Sequence, residues 1–142
     1  MNIQETINKA AITLKNNDIK TPYLDSELLL LKVLHKDRKY LLLNSKETLS
    51  KEHLFQFNNL IYRRKKGEPV AYLINYKEFW KEKFFVNKDV LIPRPDTEVL
   101  IEEVLTIYNN DKKLNILDIG TGSGCLLLSI LKERKKFLGI GV

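Results

Sequence analysis

The sequence predicts an α plus α/β chain: a helical bundle, a β-hairpin linker and the opening of a parallel α/β sheet. Three observations predict it. Up to about residue 72, apolar residues recur at three- and four-residue intervals, the period of helices that each turn one face to a core. From Tyr72 to Ile92 aromatic and β-branched residues take over, interrupted by charges near 81–83 and 87–89, as in short strands joined by a turn. Beyond Pro95 the order is helix, short apolar strand, glycine cluster, helix and strand, the start of a doubly wound sheet. The segments are a helical domain over 1–72, a hairpin linker over 73–95, and an incomplete α/β domain over 96–142.

Within the bundle, Ile3, Ile7, Ala10, Ala11 and Leu14 form one stripe, which stops near Asn16 and Asn17. Thr21 and Pro22 supply a cap and a first-turn ring for a helix through Leu34, apolar nearly all round and therefore expected at the centre. A short helix over Arg38 to Leu43 follows. Ser50 then caps a longer one carrying Leu54, Phe57, Leu60 and Ile61 on one face. Arg63, Arg64, Lys65 and Lys66 suit the negative end of that helix dipole, and Gly67 can end it in a left-handed turn.

In the second half, Phe79, Phe84, Val86, Val90 and Ile92 mark the hairpin, and Pro93 and Pro95 end it. Asp96 or Thr97 can cap a helix with Val99, Leu100, Val104, Leu105 and Tyr108 as its apolar positions. After the polar break NNDKK come a strand over Leu114 to Ile119, a helix over Leu126 to Lys132 and a strand over Phe137 to Val142.

Apolar residues at 44% and charged residues at 30% have the balance of a soluble globular protein. No apolar run approaches the roughly 18 residues needed to span a bilayer, and the N-terminus lacks a signal-peptide core, so the chain reads as cytoplasmic. One cysteine and two histidines make neither a disulfide framework nor a zinc pattern. The net charge of +6 rests on 19 Lys and only 5 Arg scattered among acids, which disfavours direct nucleic-acid binding.

Chemistry concentrates in Asp118, Gly120, Thr121, Gly122, Ser123 and Gly124, between the strand and the helix. Glycines there let the backbone turn sharply and approach a ligand, and a helix N-terminus offers unbonded N–H groups. The G-x-G-x-G spacing differs from the G-x-G-x-x-G of dinucleotide sites, and no lysine follows it as in a phosphate loop. The D-x-G-x-G-x-G form resembles motif I of Rossmann-like S-adenosylmethionine methyltransferases, in which the loop passes under the methionine moiety.

The segments TPYLDSELLL, RRKKGEPVAYLI, KEFWKEKFFVNKDVLIPRPDTEVLIEEVL and ILDIGTGSG, in that order, resemble the release-factor glutamine methyltransferases of the PrmC/HemK type along essentially the whole chain. Asn75 stands where that family usually has glycine, and Lys81 where a small residue is common. The resemblance implies S-adenosyl-L-methionine as cofactor and a class I peptide-chain release factor as protein substrate. The implied product carries a methyl group on the side-chain amide of the glutamine in the Gly-Gly-Gln loop. The family's Asn-Pro-Pro-Tyr motif, which grips that amide, does not occur in these 142 residues, and the acid that would hold the ribose is expected just after Val142. No catalytic residue or metal ligand is therefore assigned, and the chain alone is expected to be inactive. The alternatives are a stand-alone or vestigial release-factor-binding module, and the front of a different or bifunctional methyltransferase.

Among single residues, Asp118 is expected to order the loop or position the cofactor. Arg94, Thr97 and Glu98 either line the cofactor pocket or, for the last two, begin a helix. Cys125 reads as a packing residue behind the loop, Phe79 and Trp80 as contacts of the hairpin with the bundle, and His35 and His53 as surface or helix-end groups.

Overall fold

Asn2 begins the first helix with a reciprocal capping box: its side chain accepts from Glu5 N, and the Glu5 carboxylate accepts from Asn2 N. Helix α1 (Ile3–Lys15) buries Ile3, Thr6, Ile7, Ala10 and Leu14, the expected stripe with Thr6 in place of Ala11, which is only half-buried. Helix α2 (Pro22–Leu34) starts with its proline in the first turn and ends at His35 in the left-handed conformation, φ 52°. Thr21 does not cap it. Its hydroxyl donates instead to Asp25 Oδ1 at 2.9 Å, because the buried Asp25 carboxylate needs donors and takes a second from Arg64 Nε at 2.7 Å.

Helix α3 (Arg38–Leu43) is capped by Asp37, and α4 (Lys51–Lys65) by Ser50, whose hydroxyl accepts from His53 N at 3.1 Å. Gly67 at φ +93° closes α4 with bonds from Gly67 N to Arg64 O and from Glu68 N to Arg63 O, a Schellman arrangement. The next element departs from expectation. Tyr72 to Ile74 are not extended but form the end of α5 (Val70–Ile74), whose first turn is set by Pro69 accepting from Tyr72 N and Leu73 N. Ala71, Leu73 and Ile74 are buried there, with α2 as the main neighbour. As its all-round apolar pattern requires, α2 packs against α1, α3, α4 and α5, and Leu29 and Leu30 are fully buried.

The computed structural model describes residues 1–142 and groups them as two units, Met1–Ile74 and Asn75–Val142. The second begins at Asn75, φ +64°, a left-handed position that explains why glycine suits this site and why asparagine, which tolerates it, can replace glycine. Strands β1 (Tyr76–Phe79) and β2 (Glu82–Phe85) pair antiparallel from Tyr76↔Phe85 to Phe79↔Glu82. Their two-residue turn puts Trp80 at φ +56°, held by Trp80 N donating to Glu98 Oε1 at 2.6 Å and Nε1 donating to Glu133 Oε1 at 2.9 Å.

Val90 and Ile92 lie outside the ladder. A turn at Asn87, whose side chain accepts from Asp89 N, and then Pro93 leave residues 86–94 irregular. Pro95–Thr97 form a 3-10 turn leading into α6 (Glu98–Ile107). Neither Asp96 nor Thr97 caps it by side chain, because Thr97 already has helical backbone angles. Strand β3 (Asn115–Asp118), α7 (Cys125–Glu133) and β4 (Leu138–Gly141) form the parallel strand–helix–strand unit, in register Asn115↔Leu138 to Asp118↔Gly141.

Phe79, Phe84, Ile101, Ile130 and Phe137 make the core of this unit, with Trp80, Leu114, Ile116 and Leu126 packed around it. Phe79 meets Phe84 edge-on at 6.2 Å. Phe79 and Trp80, expected to face the bundle, are thus spent on the second unit's own core. Arg134 donates to the carbonyls of Leu105 and Tyr108 and so ties the end of α6 to the end of α7. Leu117, Leu138 and Ile140 on the sheet and Ile119 just after β3 are 61 to 79% exposed. The class is the expected α plus α/β, with no helix long and apolar enough to cross a membrane.

Candidate functional site

The loop after β3 is held from three sides. Asp118 Oδ2 accepts from the Thr121 hydroxyl at 2.8 Å, and Gly120 N and Thr121 N both donate to the main-chain oxygen of Val142, at 2.7 and 3.0 Å. Val142 N returns a bond to Asp118 O, and Gly124 N donates to Thr121 O at 2.8 Å. Asp118 therefore orders the loop by accepting from the Thr121 hydroxyl.

Gly120, Gly122 and Gly124 lie at φ +78°, +55° and +76°, conformations costly for residues with a Cβ. Their surroundings differ. A Cβ at Gly120 would meet nothing within 4 Å, and one at Gly122 only Gly120 O at 4.0 Å. The chain itself leaves that space open. At Gly124, the residue before α7, a Cβ would press on Leu128 at 3.2 Å, so that glycine serves helix packing.

Asp118, Gly120, Thr121, Gly122 and Ser123 line one cavity of about 140 Å³. The strap Leu91–Arg94 with Thr97, and Cys125 and Leu126 of α7, complete its lining. Gly124 is not among the lining residues, and Glu98 is turned to Trp80 N. Of the three strap residues weighed as pocket lining, Arg94 and Thr97 are there. Cys125 is half-buried at the cavity and also packs against the core. Gly122 and Ser123 donate to no backbone carbonyl, and the buried Ser123 hydroxyl has no hydrogen-bond partner. That pairing of open space with unmet polar groups is what a ligand site needs.

Sequence reasoning missed Leu91 to Pro93 as a wall and Gly141 as a support. A Cβ on Gly141 would lie 2.7 Å from Thr121 Oγ1 and 2.9 Å from Thr121 Cβ, so β4 passes the loop at a distance only glycine permits. The alternating glycines 139 and 141 within an otherwise apolar strand were the available signal.

Residues 5–74 match the PrmC N-terminal domain family. A release factor glutamine methyltransferase of Buchnera aphidicola subsp. Baizongia pistaciae is 39% identical over 100% of this chain and 51% of its own length. One from Coxiella burnetii is 47% identical over 81% of the chain and 42% of its own length. A bifunctional methyltransferase of Rickettsia conorii is 37% identical over 92% of the chain and 30% of its own length. The chain spans about half the length, or less, of these relatives, and its residues 5–74 belong to the PrmC N-terminal domain family.

Proposed function

We propose that the loop cavity holds S-adenosyl-L-methionine for methylation of the glutamine side-chain amide in the Gly-Gly-Gln loop of a class I peptide-chain release factor, in the cytoplasm. The observation that carries the cofactor reading is the cavity over Asp118 to Ser123, where glycine backbone leaves open space beside a partnerless buried hydroxyl. The names of the relatives support the reaction class. In this reading residues 1–72 recognise the substrate, 73–95 link, and 96–142 begin the methyltransferase domain.

The residues present fit the group. Gly120 and Gly122 let it approach the backbone, Asp118 and Thr121 fix the loop, and Leu91 to Pro93 line the same cavity. When bound, the cofactor supplies an electrophilic sulfonium methyl group. An amide nitrogen is a poor nucleophile, so its methylation depends on orientation and on acceptors for its protons. No residue of this chain is given that task. At about 140 Å³ the cavity is smaller than the roughly 300 Å³ or more of a full small-molecule site and suits one end of the cofactor.

The test is nuclear magnetic resonance of the isotope-labelled chain titrated with S-adenosylmethionine. Amides of 120–126 should move while those of α1 to α4 stay; unmoved loop amides at millimolar ligand would sink the cofactor reading. The same module inside a longer bifunctional methyltransferase is a second reading, favoured by the Rickettsia relative. An immunoblot of native cells raised against the helical unit separates the two by polypeptide size.

A further inference from the structure

We propose that the hairpin turn at Trp80 braces the loop cavity, with Glu98 and Glu133 as positioning residues that hold two of the segments lining it in fixed relation. The proposal rests on the reading of the cavity as the cofactor site. Trp80 carries a Cβ yet sits at φ +56°, a conformation that persists only where the surroundings impose it. Two carboxylates impose it here. Glu98, the first residue of α6, accepts from Trp80 N at 2.6 Å. Glu133, the last residue of α7, accepts from the Trp80 indole Nε1 at 2.9 Å and from Lys81 Nζ at 2.6 Å. Lys132 pairs with Glu82 beside them, so the turn is fastened to the last turn of α7 by neighbouring side chains.

Trp80, Glu98 and Glu133 do not line the cavity, but the helices they fasten start at it. Thr97, just before Glu98, lines it, and Thr97 N donates to Arg94 O, which joins the strap to the start of α6. Cys125 and Leu126, the first two residues of α7, line it as well. A helix of nine residues, rising about 1.5 Å per residue, moves as a rod, so the Glu133 end of α7 sets where its cavity end lies. Arg134 already ties the far end of α6 to the end of α7. The bond from Trp80 N to Glu98 is then what stops the strap end of α6 from swinging about that tie. Contacts close a ring from the strap through Glu98, Trp80 and Glu133 along α7 and back to the glycine loop. Coupling of this kind is reciprocal: if the brace sets the cavity for a ligand, the ligand must bear on the brace.

The experiment is a resonance titration of the isotope-labelled 142-residue chain with S-adenosylmethionine, following the amides of 120–126 and the indole N–H of Trp80, the single tryptophan. In wild type both should move with one midpoint. Glu98→Ala and Trp80→Phe, at a temperature where circular dichroism shows each variant folded, should weaken binding about threefold or more, the size of coupling carried by residues outside a site. Glu98→Gln keeps an acceptor for Trp80 N and should recover most of the affinity. An indole resonance that stays still while the loop amides move, or folded Glu98→Ala and Trp80→Phe variants that bind as wild type does, overturns the brace and leaves the cofactor reading standing. Glu98→Gln binding as weakly as Glu98→Ala overturns it too, because charge and not the bond to Trp80 would then be at work. Loop amides unmoved in wild type would remove the cofactor reading, and the brace with it.

Discussion

Single residues decide how the loop behaves. Gly122 sits left-handed with open space beyond it, so Gly122→Val acts through backbone strain and by entering that open volume. Calorimetry should register at least a tenfold loss of S-adenosylmethionine affinity, from a conformational cost of about 1–2 kcal/mol plus the lost space. Gly141→Ala should weaken binding without touching the cavity, because its methyl group has to displace Thr121 from Asp118. In the helical unit, Asp25→Ala leaves the Arg64 guanidinium poorly paired where it is largely covered, and should lower unfolding stability by about 3 kcal/mol in a denaturant titration. Ser129 is buried with an unbonded hydroxyl, and Ser129→Ala should be neutral or stabilising by about 1 kcal/mol.

At the scale of elements, the legible parts were those with a strong period or a chemical signature. The α1 stripe, the Ser50 cap and the glycine cluster were visible because each is written within a few neighbouring residues. Helix α5 was not, since VAYLI is too short to show a period and its aromatic and β-branched content reads as strand. The strap at 91–94 was hidden for a related reason: its role as a wall comes from Asp118 to Leu126, more than twenty residues away. Nor could Thr21 be seen to prefer Asp25, a choice set by a buried carboxylate that Arg64 reaches from another helix.

The turn at Trp80 is likewise a matter between elements, and it is pH-dependent. Hydrogen bonds from Lys81 first and the Trp80 indole second hold the Glu133 carboxyl below its ordinary range, against an opposing but smaller desolvation. A depressed carboxylate adds stability above its unfolded-state pKa and loses it as pH falls through the folded one. Acidification below the usual glutamate range should therefore loosen the turn, seen as a shift of the Trp80 indole resonance. Glu133→Gln should show that loosened signal already at neutral pH and make it insensitive to acid.

For the whole chain, helices that cover one another through short connections predict that residues 1–74 fold alone. That segment should unfold cooperatively and give strong helical circular dichroism, and a coil spectrum would count against it. The complete 142 residues, incubated with labelled S-adenosylmethionine and a release factor beside a full-length relative, should yield no methylglutamine above background. Signal from the shorter chain would relocate the catalytic groups into it.

The sheet's exposed leucines and isoleucines also set how this protein must be handled. Leu117, Leu138 and Ile140 stand in a two-stranded ribbon with unpaired edges, and Ile119 lies just past the end of β3; this is a surface on which another strand, from any source, can continue the ladder. Encounters between copies grow with the square of concentration, whereas folding of each copy does not. Scattered light should therefore rise steeply with concentration and fall when Leu117 and Ile140 are changed to Lys. The time that a concentrated sample remains clear is then governed by crowding of this ribbon, independently of how firmly the helical unit holds together.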